Sequence, residues 1–484
     1  MRMSGSTIGL IVYAVAYVAI LARVLVVEGK EPVSRAAWIL ILLFVPIVGI
    51  GAYVLFGEPW VPRRFRRKAS VAAGELAKHH SLSKDSTLHA VPERFRPAFR
   101  TCEGLAHSDV TNGNRAMLAS SSDAAIDAMV EDFDAARETI HVSFYIWLTD
   151  HNGIKVVEAL KRAATRGVTC RVIADDVGSR GLIRSRHWAA MEASGVRVCA
   201  SMKLSMGLGV IVGSRMDIRN HRKIVVVDNC ITWCGSQNCA DPEFRVKPKY
   251  APWVDIMLRF TGPVARQNQR LFAADWMVEA DEDLSAHWKA MLPGLDAAAS
   301  DDLLPAVAFG TGPLSPIGAM SDVFVSLLGC AQREVVISNP YFVPDPPLLA
   351  ALIACAARGV STTLILPARN DSWVVGVISR AYYPQLAEAG VQLFEYRPGL
   401  LHAKTLLVDG QVALVGSANM DRRSLELNFE NNILLCSVTV AETIRQRQSQ
   451  WLADSSEVPP HAVAHRSLPR RMGDNLVAMF GPVV

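Results

Sequence analysis

Two short stretches carry the same reactive side chains in the same order. Residues 220–238 read NHRKIVVVDNCITWCGSQN, and residues 400–419 read LLHAKTLLVDGQVALVGSAN. Each contains His-x-Lys, four residues, Asp, six residues, and Gly-Ser-x-Asn, which places His221, Lys223, Asp228, Ser236 and Asn238 against His402, Lys404, Asp409, Ser417 and Asn419. An imidazole attacks phosphorus or moves a proton near neutral pH. An ammonium compensates anionic charge, while hydroxyl and amide groups hold oxygens. The inventory suits a phosphate, and two copies supply two histidines, one to attack and one to protonate the leaving oxygen. Singly, a His or Lys at a strand end is usually structural, and Asp before Asn or Gly is usually a turn former. The complete pattern occurring twice is what carries the reading.

The elements around these residues fix how they face. Each motif reads as a β-hairpin, with Asp228-Asn229 and Asp409-Gly410 as turns between apolar runs. The period of two puts each His with its Lys on one face of the outgoing strand, and each Ser with its Asn on one face of the return. Asp228 and Asp409 begin the turns, several residues from the imidazoles, so they are expected to support the scaffold while completing the motif. Upstream, TIHVSFYIWL, NGIKVVEALKRAATRGV and TCRVIADD read as strand, helix and strand; REVVISNPYFV, PPLLAALIACAARGV and STTLILPA repeat the unit. Arg-Gly-Val recurs at 166–168 and 358–360, so the duplication covers half-domains. Small and polar residues at 283–306 mark the expected boundary between them.

Half of the composition is hydrophobic, and the mean hydropathy is +0.21. The excess sits at the front. Ile8 to Val27, apolar but for Arg23, and Ala36 to Phe56 each approach the ~20 residues that cross a bilayer as helix, so a transmembrane hairpin is expected. The run RRFRRK at 63–68 places both termini on the cytoplasmic side by charge counting; attraction to anionic lipid is an equal reading. A net charge of +4 over 484 residues gives no strong basic field and argues against nucleic acid as a partner. The nine cysteines lack zinc-site spacing and are expected to be reduced and mostly buried.

The paired motifs resemble HxKxxxxD of the phospholipase D superfamily with its trailing Gly-Ser-x-Asn, and neither copy departs at those positions. PVSRAAWILILLFVPIVGIGAYVLFG, SNPYFVPD and HAKTLLVDGQVALVGSANMDRRSLELNFENN look more narrowly like the bacterial cardiolipin synthase family with two spans. The resemblance covers nearly the whole chain. It implies an α/β fold: a duplicated phospholipase D-like module with two mixed sheets sharing one active site, behind a transmembrane hairpin. The expected layout is 1–57 two spans, 58–105 basic linker, 106–290 and 305–455 the two halves, and 456–484 a tail.

The resemblance also implies a chemistry. Two phosphatidylglycerol molecules would give cardiolipin and glycerol through a phosphohistidine, with no metal or other cofactor, at the inner (cytoplasmic) membrane among anionic lipids. His221 would attack and His402 would protonate the leaving glycerol, then deprotonate the acceptor; the reverse assignment stays open. Lys223, Lys404, Asn238 and Asn419 would hold phosphoryl oxygens, with Ser236 and Ser417 in the same substrate-binding set. A histidine nucleophile needs a carboxylate on its other nitrogen. Glu430 matches the family position for this role, and Asp255 is the parallel residue in the first half. Phospholipase D-type hydrolysis, or transfer to another alcohol, would use the same motifs. The stretch DPEFRVKPKYAPWVD at 241–255 departs most from the resemblance and bears on acceptor choice.

Overall fold

The computed structural model describes residues 5–27, 32–57, 61–78, 87–203, 217–285 and 303–460, with 472, 473 and 477. The first half contributes β1 Thr111–Leu118, β2 Thr139–Phe144, β3 Thr169–Asp175, β4 Arg197–Ser201, β5 Ile224–Val227, β6 Ile231–Gly235, β7 Trp253–Val254 and β8 Met257–Thr261. The second contributes β9 Leu304–Thr311, β10 Glu334–Ser338, β11 Ser361–Pro367, β12 Gln392–Tyr396, β13 Leu400–Leu401, β14 Thr405–Val408, β15 Val412–Gly416, β16 Glu430–Cys436 and β17 Ser455–Glu457.

The repeated βαβ units form as their sequences require. β2 and β3 are parallel, as are β10 and β11, and their apolar runs are buried. Helices His151–Thr165 and Pro346–Ala357 make the crossovers. Their N-termini are capped by Asp150, which accepts from Gly153 N–H at 3.0 Å, and Asp345, which accepts from Leu348 N–H at 3.0 Å. Each helix stops at Arg-Gly, where Gly167 (φ +91°) and Gly359 (φ +85°) turn the chain into the left-handed region.

The two halves share one sheet. Its fifteen strands run β17-β12-β11-β10-β14-β15-β16-β9-β1-β8-β6-β5-β2-β3-β4, so the second half repeats the first in mirror order about the β1/β9 seam. The expected pair of separate sheets is corrected here. The first strand of each half would otherwise leave an open row of backbone groups, and antiparallel pairing of β1 with β9 closes both. A second cross-half link is the short parallel pair β7 and β13.

At the N-terminus, Gly5–Val26 is the one helix among the described residues that is long and apolar enough by itself to cross a membrane. The second apolar stretch is two helices, Pro32–Phe44 and Pro46–Phe56, rather than one continuous span. Pro46 restricts Val45, which leaves the helical region at φ −136°, ψ 63°. Val24, Trp38, Leu42 and Tyr53 pack these helices together.

The stretch expected as a basic linker is partly built into the body. RRFRRK opens helix Arg63–Ala77, whose Leu76 packs with Phe272 of helix Val264–Glu279, while Lys68 pairs with Asp281 at 2.6 Å. Helix Arg96–Ala106 buries Phe99 and Cys102 with the preceding Phe95 in the second half's core. The physical signal was its amphipathic spacing, which the high charge of the region masked. His79, His80, most of the 283–306 boundary and most of the 456–484 tail lie outside the described residues.

Candidate active site

Each motif is the hairpin expected from its sequence, β5-β6 and β14-β15. The turns carry positive φ at Asp228 (48°), Asn229 (55°), Asp409 (52°) and Gly410 (63°), and are closed by Cys230 N–H to Val227 O at 3.1 Å and Gln411 N–H to Val408 O at 3.0 Å. Asp228 and Asp409 sit at the far end of β5 and β14 from the histidines. Asp228 accepts from the backbone N–H groups of Arg137, Glu138 and Thr139 at 2.8–2.9 Å. Asp409 does the same for Gln332, Arg333 and Glu334. Both therefore tie the hairpin turn to the chain entering β2 or β10, at the end of the strand away from the imidazoles.

The histidines are positioned across the halves. His221 N–H donates to Phe429 O at 2.9 Å, and His402 N–H donates to Val254 O at 2.8 Å. Those acceptors immediately precede Glu430 and Asp255, so each backbone bond brings one half's imidazole to the other half's carboxylate. His221 Nδ1 lies 2.8 Å from Glu430 Oε2, and His402 Nδ1 lies 2.6 Å from Asp255 Oδ1. A carboxylate at Nδ1 leaves the Nε2 lone pair for chemistry.

Ser236 and Ser417 support these carboxylates. Ser236 Oγ donates to Asp255 Oδ1 at 2.6 Å, and Ser417 Oγ donates to Glu430 Oε2. On the returning strand their hydroxyls point at the carboxylate behind each histidine. Ser424, which no sequence pattern marks, adds a donor to Glu430 Oε1 at 2.7 Å. The lysines are buried and unequal. Lys223 Nζ donates to His221 O at 2.7 Å, whereas Lys404 Nζ reaches both His402 O and His402 Nε2 at 2.8 Å.

Burial sets the protonation states. It pushes His221 well below the ordinary imidazole value, assisted by the charges of Lys223 and Lys404. His402 is lowered by burial and by Lys404, against the pull of Asp255. Burial also lowers Lys223 to about 8 and Lys404 to about 7, despite the opposing carboxylates. Glu430 is raised to about 7 by burial, which Lys223 and the serine hydroxyls oppose. Burial would raise Asp255 too, but His402, Lys404 and Ser236 outweigh it and hold Asp255 at about 2. Both imidazoles are thus neutral before an anion enters.

The two histidines face one cavity of about 540 Å³, which Asn238 and Asn419 also line. At the His402 end the walls are aromatic: the Trp253 ring is 4.7 Å from the imidazole and stacks on Phe244, with Tyr341 at 6.4 Å. At the His221 end they are polar, with Tyr145 at 5.1 Å and Arg423 and Asn428 alongside, and Asp421 also lines the cavity. Phe244, Lys247 and Trp253 come from the divergent stretch 241–255, and Lys247 bridges to Asp371 of the second half at 2.6 Å. In the sequence, Arg422 and Arg423 beside the second motif stand equally for contact with lipid head groups and for ordinary surface placement, and no local pattern marks Tyr145, Trp253, Tyr341, Asp421 or Asn428. Each lies outside the repeated motif, and only the sheet pairing brings it to the cavity.

The family model described as "Cardiolipin synthase, PLD-like domain" matches residues 129–276 and 324–451, more than half of the chain. The chain belongs to the cardiolipin synthase family of phospholipase D-like proteins. Within this family it is 33% identical over 474 residues to Cardiolipin synthase A of Yersinia pseudotuberculosis serotype O:1b, covering 96% of this chain and 95% of that protein. Cardiolipin synthase A of Yersinia pestis matches over the same length at the same identity. A model described as "Phospholipase_D-nuclease N-terminal" matches residues 9–58, the apolar front. The solved phosphatidylserine synthase of Haemophilus influenzae superposes with a TM-score of 0.57 at 14% identity, over 79% of this chain and 99% of that one. That likeness extends to the fold. The protein is thus an enzyme of the phospholipase D superfamily, and both cross-paired histidines lie within the matched segments.

Proposed function

We propose that the protein transfers a phosphatidyl group between two phosphatidylglycerol molecules, giving cardiolipin and glycerol. The observation that carries this is the pair of histidines, each backed by a carboxylate from the other half, facing one cavity beside two buried lysines. The acceptor is a second lipid rather than water, a reading supported by the family and by the cavity's apolar lining of Phe244, Val343 and Val375.

His221 is the nucleophile. Its Nε2 makes no hydrogen bond among the described residues, whereas His402 Nε2 already accepts from Lys404. His221 Nε2 attacks phosphorus and the bond to glycerol oxygen breaks. An entering phosphodiester anion favours the imidazolium of His402, which takes up a solvent proton at Nε2 and gives it to the departing oxygen. His402 then takes the proton of the acceptor's hydroxyl, whose oxygen bonds to phosphorus as the P–N bond to His221 breaks. Lys223, Lys404, Asn238 and Asn419 hold the phosphoryl oxygens through both steps.

The front of the chain anchors this site in the bilayer as a two-pass hairpin. Gly5–Val26 is the first pass, and Pro32–Phe44 continued by Pro46–Phe56 is the second, kinked at Pro46. Arg35 donates to the carbonyls of Val24 and Leu25 at 2.9 and 2.6 Å, satisfying groups where the first helix ends. RRFRRK and the catalytic body then lie on the cytoplasmic side. Purified protein in phosphatidylglycerol vesicles should yield cardiolipin and glycerol in equal amounts. Phosphatidic acid without cardiolipin would overturn the transferase reading.

A further inference from the structure

The phosphate-holding set is duplicated, but the wall beside His221 is not. Counting from the matched asparagines Asn238 and Asn419, Arg423 falls where the first half has Pro242. Counting back from the matched carboxylates, Asn428 falls where the first half has Trp253. The second half thus places a guanidinium and an amide where the first places a ring and an indole.

Both side chains have unused polar atoms. Two cations line the cavity, and Lys247 is neutralised by Asp371 at 2.6 Å. Arg423 has no carboxylate oxygen within ion-pair distance among the described residues. Its Nη2 donates to Asp217 O at 3.0 Å, and its Nε is buried without a partner. Asn428 is 7% exposed, and its Oδ1 is buried without a partner. Rotating that amide presents its donors instead. Asn428 N–H donates to Arg423 O at 2.7 Å, closing a turn of π-helix over Arg423–Leu427 that holds the two residues together. The carboxyl on the same wall, Asp421, accepts from Ser424 N–H at 2.8 Å. A half-buried guanidinium whose Nε is unmet, beside a buried amide with an unmet atom, calls for an anionic ligand.

We infer that Arg423 and Asn428 form a second phosphodiester subsite, which holds the acceptor lipid's own phosphate while its terminal hydroxyl is presented to phosphorus. This rests on the proposed transfer reaction. A phosphatidylglycerol acceptor carries a phosphodiester three carbons from the attacking oxygen, and the motif lysines are engaged by the reacting phosphate. In the second step that hydroxyl oxygen bonds to phosphorus, the P–N bond to His221 breaks, and the proton passes to His402. A small neutral alcohol undergoes the same step without using the subsite.

Full-length protein in phosphatidylglycerol vesicles with added methanol partitions one phosphohistidine between cardiolipin and phosphatidylmethanol. Wild-type protein that makes no cardiolipin would count against the transfer reading, not against the subsite. Arg423→Ala should lower the cardiolipin-to-phosphatidylmethanol ratio about tenfold, the weight of one charge-assisted contact. Arg423→Lys should recover part of that ratio, and Asn428→Ala should lower it by a smaller factor. A ratio unchanged in Arg423→Ala, whether both products fall together or neither does, overturns the subsite. Should Arg423→Ala give neither product, Asn428→Ala decides, and an unchanged ratio there overturns it.

Discussion

The His221–Glu430 and His402–Asp255 pairs are built from one duplicated plan and differ in charge. Asp255 takes one hydroxyl donor, and His402, then Lys404, outweigh its burial and hold its carboxyl at about 2. Glu430 takes two hydroxyl donors but is wholly buried, and burial raises it to about 7. Lys404 bonds the Nε2 of its own histidine, whereas Lys223 bonds only the carbonyl of its own. The duplication therefore preserved geometry while the surroundings of the two histidines diverged. The anion-backed, lysine-capped His402 suits proton transfer, and the open Nε2 of His221 suits attack.

Removing either imidazole tests the division most severely. His221→Ala and His402→Ala should each lower kcat by about a thousandfold or more. Rapid quenching of wild-type protein should trap phosphorus on His221, and phosphorus on His402 would reverse the assignment. The carboxylates should separate next. Asp255→Asn should cost about a thousandfold in kcat, because an ionised partner is lost, and Glu430→Gln about tenfold, because Glu430 is half protonated near neutrality. Equal losses would erase the distinction between the half-sites.

The two halves also differ in their pH response. Protonation of Glu430 below about 7 should lower kcat/KM, and loss of the Lys404 proton above about 7 should lower it on the alkaline side. Glu430→Gln should flatten the acid limb alone. Between 4.5 and about 7 the folded protein binds more proton at Glu430 than the unfolded chain does. Its contribution to stability therefore falls as pH rises through that window. The slope of Tm against pH there should become less negative in Glu430→Gln. The smallest kinetic effect belongs to the turn aspartates. Asp409→Ala should reduce stability by roughly 1–3 kcal/mol through three unmet N–H groups, leaving kcat of the folded fraction nearly unchanged. A large loss of kcat at full Tm would return Asp409 to the chemistry.

Much of the site was legible because it is local. His-x-Lys and Ser-x-Asn share strand faces through the period of two, and Asp-Asn and Asp-Gly specify their turns. The role of the serines was not legible. The same alternation that set Ser417 beside Asn419 could not say that Glu430, thirteen residues on, would lie under its hydroxyl. The helix Arg96–Ala106 was missed for a related reason: Phe95, Phe99 and Cys102 find their core in strands more than two hundred residues later.

The sequence by itself determined the duplicated α/β module, the two hairpins, the apolar front and the set of reactive side chains that recurs in each half. Periodicity and turn chemistry act over a few residues, so they survive without a fold. Only the tertiary structure decided that the sheet is continuous through β1 and β9, that each histidine takes its carboxylate from the opposite half, and that the two carboxylates differ in charge. Those outcomes depend on pairing across 209 residues of chain between His221 and Glu430, and on burial, which no local pattern encodes.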